Sequence, residues 1–357
     1  MRLLDRMSLA TDQHFVFAPL STWMQLTTLL EGARGTTLQE MKKVTHMFRS
    51  KCNRRNQRKI MNELKQDIYP QMNMSSAIVL DSAYDIKHNY LDEVKYGGVR
   101  IFVVDFDEPQ KAAARINEYL FDSSSMEEMM FPQDFQHTTV LTADAGYFMS
   151  EWKTPFQTIQ TEVSPFYDEK NFEIGKVNLM RQTGVFSMTT IPTIKATVLE
   201  LKCSDRISML LFLPVEGASI YQVYESLMNI RLQSIIMRLE RDRRKDVDVY
   251  LPRFEIVTDV DNLPELLYDM GVKKMFYPRT ADFHGMSDYK LFVSMVQQKS
   301  RIEVTEGGVV ANFVPQMLIS GQNYKTFKAN RPFAFMVVDR TTELILFAGM
   351  YSQPSLY

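Results

Sequence analysis

Cysteine is nearly absent: the 357-residue chain has two, Cys52 and Cys203. That excludes a disulfide framework and a cysteine-based metal cluster, and leaves both as candidate free thiols. Long apolar runs are missing too, so no segment reads as a membrane-spanning helix. The amino-terminal MRLLDRMSLATDQHF is too short and too charged for a secretory leader. Its Leu3, Leu4 and Met7 fit the end of an amphipathic helix instead. An excess of one charge is lacking, with a net charge of −2, which gives no general pull toward nucleic acid or an anionic membrane. The five histidines (His14, His46, His88, His137, His284) are scattered and fall in no metal-ligand or triad-like local motif. A phosphate-binding loop, a dinucleotide glycine fingerprint and a GxSxG elbow are all missing. These absences assign no catalytic residue, no metal and no cofactor.

What is present is ordinary for a soluble globular protein, with 45% hydrophobic and 24% charged residues. The chain is long enough to bury a large core without staples. Its 24 methionines read as soft core packing. No repeat, low-complexity tract or linker interrupts it, which predicts one domain over 1–357.

Stretches 77–85, 99–105 and 138–148 read as strands, and 108–121 as a helix with proline in its first turn. Two strands, 197–201 and 208–213, flank a short polar turn, and 220–239 reads as a single helix. A strand over 247–254 is interrupted by Pro252, and a helix over 263–270 is stopped by Gly271. Strands at 291–305, 332–338 and 344–351 complete the pattern. Between the first two of these lies EGGVVANFVPQMLISGQNYKTFKAN (306–330), with no helical period and few charges. A connection this long inside a compact domain is uncommon, and is usually functional or disordered.

Two further features stand apart. Residues 49–59 are basic, and Arg54, Arg55, Arg58 and Lys59 can share one face if the helix over 60–68 starts early enough. The alternative is a solvated loop and helix start. Asn73-Met74-Ser75 is a glycosylation sequon, used only if the chain is secreted.

Five separated stretches, in order, resemble the serpin family. VFAPLSTWMQLTTLLEGARGTT resembles the family's shutter segment, and DAGYFMSEW with Pro155 and Phe156 resembles its long main-sheet strand and breach tryptophan, Trp152. LFLPVEG resembles a strand-end motif, and LPRF followed by MGV and ADFHG a further family succession. NRPF with LFAG is similar to the carboxy-terminal hairpin. The resemblance implies an α+β fold of three β-sheets, eight or nine helices and an exposed reactive-centre loop at about 306–330. It implies a protein that is not an enzyme but is attacked by one. A serine protease acylates itself on the loop and is dragged across as the loop inserts into the main sheet as a new central strand. The basic run falls where several family members bind sulfated glycosaminoglycan.

Departures from the pattern carry the functional expectation. The hinge begins with Glu306, Gly307 and Gly308, as in the family, but Val309 stands where threonine or serine is usual. The following small-residue run is replaced by VANFVP, with Phe313 and Pro315. Counting forward from the hinge puts the scissile bond at Gln322, and counting back from Asn330 puts it at Gly321. In the shutter, beside Ser21, Ala18 replaces a usual serine, Asp144 a usual asparagine and Gln298 a usual histidine. The sequence thus favours a loop-presenting protein that acts as substrate, reversible binder or interaction module; the alternative is a working covalent inhibitor. The family's first helix is mostly missing before Ala10: either the chain is shortened or Met1 is internal to a longer precursor, and a leader preceding Met1 would fit the expected extracellular monomer. The amino-terminal wording is similar to that of insect accessory-gland, seminal-fluid serpins.

Overall fold

The computed structural model describes residues 2–10, 14–48, 50–68, 72–121, 128–149, 151–242, 244–307 and 324–357. Among them the chain opens with α1 (Arg2–Ala10), β1 (Phe15–Phe17), α2 (Pro19–Gly32), α3 (Gly35–Thr45) and α4 (Lys51–Ile68). It continues with β2 (Asn73–Asp81), α5 (His88–Val94), β3 (Arg100–Val104), α6 (Pro109–Phe121) and β4 (Val140–Met149). Four strands follow: β5 (Glu162–Tyr167), β6 (Glu173–Ile191), β7 (Ala196–Lys202) and β8 (Ile207–Pro214). Then come α7 (Ile220–Leu227), α8 (Leu232–Arg241), β9 (Lys245–Pro252), β10 (Phe254–Val260) and α9 (Leu263–Met270). The chain closes with β11 (Val293–Val304), β12 (Lys325–Lys328), β13 (Phe333–Asp339) and β14 (Leu344–Tyr351).

The contacts divide these elements into two compact units interleaved in sequence. The first takes Met1–Pro19, Met149–Val257 and Ile302–Tyr357. Its core is the ladder β1-β14-β13-β8-β7-β6, in which every residue of β8 and β13 is buried. Strands buried on both faces read as continuous apolar runs, which is why FAFMVV and ISMLLFL are legible. Gly349 of β14 is required by close approach, since a Cβ there would meet Phe15 O at 2.1 Å. Beyond this ladder β6 pairs with β5 and β9, and β9 with β12. Among the described residues these strands form one nine-stranded sheet, in which the 19-residue β6 joins the ladder to β5, β9 and β12.

The second unit takes Leu20–Phe148 and Thr258–Arg301. It is built on a five-stranded sheet in the order β10-β11-β4-β2-β3. Helix α6 packs on β2, and Ile116 and Leu120 join Ala77, Val79, Phe102 and Leu141 in one buried cluster.

Two local expectations are corrected. The helix over 220–239 is two helices. Buried Ile220, Val223, Tyr224 and Leu227 set one apolar stripe, whereas the next begins at Leu232, out of phase with it. The chain turns between them to bury both. Strand β6 has no counterpart among the sequence readings: its exposed positions mix polar residues with Ile174 and Val185, and Gly175 and Gly184 break its apolar alternation.

Candidate functional site

The end of β11 positions the hinge. Alternate residues Ile302 and Val304 are buried, and the alternation runs on to Glu306, which is 8% exposed. A carboxylate buried to this degree needs donors. Thr161 Oγ1 donates to Glu306 Oε1 at 2.6 Å, and Arg253 Nη1 lies 3.7 Å from Oε2. The backbone is held as well: Phe156 N donates to Glu306 O at 3.1 Å and Trp152 N to Gly307 O at 3.0 Å. The Trp152 indole is buried, stacks edge-on to Phe156, and donates from Nε1 to Thr305 O at 2.7 Å. Arg253 is itself fixed, because its Nε donates to Tyr357 O at 2.6 Å.

The loop thus leaves from an anchored exit at 305–307. It returns at β12, which runs parallel to β9 from the Lys325–Val247 pair, and Ala329 N donates to Tyr250 O at 2.9 Å. Between these points Gly308, Val309, Phe313 and Pro315, expected from sequence in the hinge, and Gly321 and Gln322, expected at the scissile bond, lie outside the described residues.

In the second unit β4 and β11 are direct neighbours, so the seam where a new central strand would enter is closed. Beside that seam Gln298 of β11 donates from Nε2 to Thr22 Oγ1 at 3.1 Å and accepts from Ser300 Oγ at 3.2 Å. Ser21, next to Thr22 on α2, is buried, and Asp144 of β4 is buried in register with Ser76 of β2. Ser21, Asp144 and Gln298 are each buried, and Thr22 is a direct partner of Gln298. The sequence readings had missed Thr22, Thr161 and Arg253 as partners.

An anchored strand end at 305–307 and a return strand at β12 in the first unit, and a five-stranded sheet in the second, are elements the resemblance implied. The model of the family Serpin (serine protease inhibitor) matches residues 1–354. The chain belongs to the serpin family. Serpin B4 of Homo sapiens is 27% identical over 99% of this chain and 96% of its own length. A serpin-like protein of Thermococcus kodakarensis is 31% identical over 96% of this chain and 81% of its own. In fold, the serine protease inhibitor serpin-12 of Manduca sexta superposes with a TM-score of 0.87 at 20% identity, covering 99% of this chain and 96% of that one.

The serpin's basic run needs correction. Helix α4 does start early, at Lys51, yet the four cations divide between two faces. Arg54 and Arg58 are buried, and Arg55 and Lys59 are exposed. Arg54 grips Glu31 from Nε at 2.6 Å and Nη2 at 3.1 Å, while Arg58 reaches Glu31 at 2.5 Å and Glu93 at 3.0 Å. At about 100° per residue, 54 and 58 share one line of the helix and 55 and 59 another. Burial alone would raise the Glu31 carboxyl; the two guanidiniums outweigh it and hold the pKa below the ordinary value. Arg54 and Arg58 are therefore structural and offer nothing to a polysaccharide. Asn73 opens β2 rather than preceding it, and is half-buried there.

Proposed function

We propose that this serpin presents its loop to a serine protease and is cut there as a substrate, without holding the enzyme. The observation that carries the reading is the hinge sequence, Val309 with Phe313 and Pro315, set against the closed seam between β4 and β11. An inserted strand would be central, with a partner on each side. Pro315 has no N–H to give, and proline is confined to edges, strand starts and bulges. Side chains of a strand alternate, so Phe313 shares a face with Val309 and enters a place the family fills with a small residue. Overpacking costs about 1–3 kcal/mol, and a missing ladder bond adds roughly 0.5–1.5 kcal/mol. The anchored exit supports the reading too. With Glu306 and Gly307 held by Phe156 and Trp152, the strand has no slack for the one-residue slip that would exchange its faces.

Trapping is a race between insertion and release of the acylated protease. About 1.4 kcal/mol in a barrier is tenfold in rate, so a loop hindered this much loses the race. The alternative, a covalent trap, draws on the correctly placed Glu306, Gly307 and Gly308. The same proposal has the protein working outside the cell as a monomer, with Asn73 glycosylated. A sulfated glycosaminoglycan remains a candidate partner through Arg55 and Lys59 alone.

The test is incubation with trypsin-like, chymotrypsin-like and elastase-like proteases, followed by denaturing gels and amino-terminal sequencing. The expected result is serpin cut within 317–325 and protease left active. A denaturant-resistant complex at near-equimolar stoichiometry would overturn the proposal.

A further inference from the structure

Strand β6 has a gap along one edge. There β5 pairs with its residues 173–179 and β7 with 187–191, while β9 takes the opposite edge from Leu179 to Phe186. Among the described residues no strand covers 180–186 on the β5 side. A cavity of about 360 Å³ opens beside that gap. This is within the range of small-molecule sites, roughly 300–1,000 Å³.

Its wall has two characters. Trp152 and Leu201, both buried, and Phe186 give it apolar surface. Lys153, Lys202 and Arg244 bring three cationic groups. Lys153 is ion-paired with the exposed Asp205 and Lys202 interacts with the same carboxylate more weakly, which leaves Arg244 and then Lys202 as the stronger anion contacts. The wall's carboxylate, Glu200, is already engaged by Ser208 Oγ at 2.8 Å and Arg340 Nε at 3.2 Å, so it does not cancel them. Gln182 also lines the cavity at 6% exposure, and its buried Oε1 meets no donor. A buried amide oxygen left short of a donor is costly; water carried in with a ligand would donate to it, whereas a carboxylate, itself an acceptor, would not.

We propose that this cavity binds a small amphipathic acid, a medium-length aliphatic chain ending in a carboxylate. The chain lies against Trp152, Phe186 and Leu201, and the carboxylate faces Lys202 and Arg244. Because Trp152 also donates to Gly307 O and Thr305 O, the occupied cavity stiffens the exit of the loop. This inference goes beyond the reading of the loop as a substrate, and it is read with no protease present.

The chain has two tryptophans, Trp23 and Trp152, so Trp23→Phe leaves Trp152 as the only indole emitter. Octanoate titrated into that protein should change the emission saturably, with half-saturation at or below roughly 1 mM. Octanol, of equal chain length and no charge, should bind at least tenfold more weakly. Lys202→Gln with Arg244→Gln should weaken octanoate at least tenfold while leaving the melting temperature in place. Calorimetric titration of the unmodified protein should give the same affinity, which guards against misfolding of Trp23→Phe. Hydrogen exchange at the Trp152 and Phe156 amides, the donors to the hinge, should slow at least threefold in the occupied protein. No saturable signal by either method, equal binding of octanol, or undiminished binding by the double variant would overturn the site. Unchanged exchange at Trp152 and Phe156 would overturn its link to the hinge.

Discussion

A thiol reacts as its thiolate, so burial decides between the two cysteines. Burial pushes the Cys203 thiol up to about 12, while Cys52 is exposed. Native protein should therefore react with a disulfide reagent at one thiol, Cys52, with Cys203 following only on unfolding; two fast equivalents would contradict this. His14 gives a pH dependence. Burial lowers its pKa, and a hydrogen bond with the Gln353 backbone only partly restores it. The unfolded chain then takes up a proton first, near the ordinary histidine value of about 6.5. Stability from this group is full above that value and is lost as pH falls through it toward the folded pKa. His14→Phe keeps a ring stacked on Tyr351 and should flatten the fall in melting temperature between about pH 7 and pH 5. An unchanged slope would show that other groups set it. At this scale the sequence was legible only in part. Glu306 was identified by its place in a motif. Its partner Thr161 lies 145 positions away in the chain, and no local pattern announces such a meeting.

Helix α4 separates what spacing permits from what packing selects. Spacing allowed 54, 55, 58 and 59 to be neighbours; Glu31, on another helix, chose the pair that turns inward. Removing one partner of a buried ion pair leaves an uncompensated charge, at a cost of about 3–5 kcal/mol. Glu31→Ala and Arg58→Ala should each lose stability on that order in urea titrations. Arg55→Ala with Lys59→Ala should stay within about 0.5 kcal/mol of the parent. Equal losses in both sets would mean that the inward face is misassigned. The Glu31 contribution has a sign as well. Its folded pKa is depressed, so the stability is present above the unfolded carboxylate value and lost as pH falls through the folded one. Elements with a uniform environment, such as β8 and β13, were readable because every position asks for the same chemistry. Strand β6 was not, because its burial changes along its length as it passes from β5 and β9 to β7.

For the molecule as a whole, the fold was legible from five short stretches because each marks a place where packing tolerates few alternatives. The indole of Trp152 beneath the hinge and the backbone approach at Gly349 are two of them. The division into two interleaved units was not legible, since it depends on contacts between segments far apart in the chain. The functional claim also belongs to this scale. On the proposed reading, a loop that inserts becomes a central strand, and Phe313 and Pro315 in it would meet a steric and a hydrogen-bonding penalty at adjacent inward positions. The most direct measurement is the melting temperature of the protein before and after a single cut within 317–325, with hydrogen exchange over 308–315, in the parent and in Phe313→Ala with Pro315→Ala. The parent should gain little on cleavage and leave 308–315 exchanging freely, whereas the double variant should gain more and become protected. A gain of tens of degrees by the unmodified protein, with the segment through Pro315 fully protected, would contradict the account.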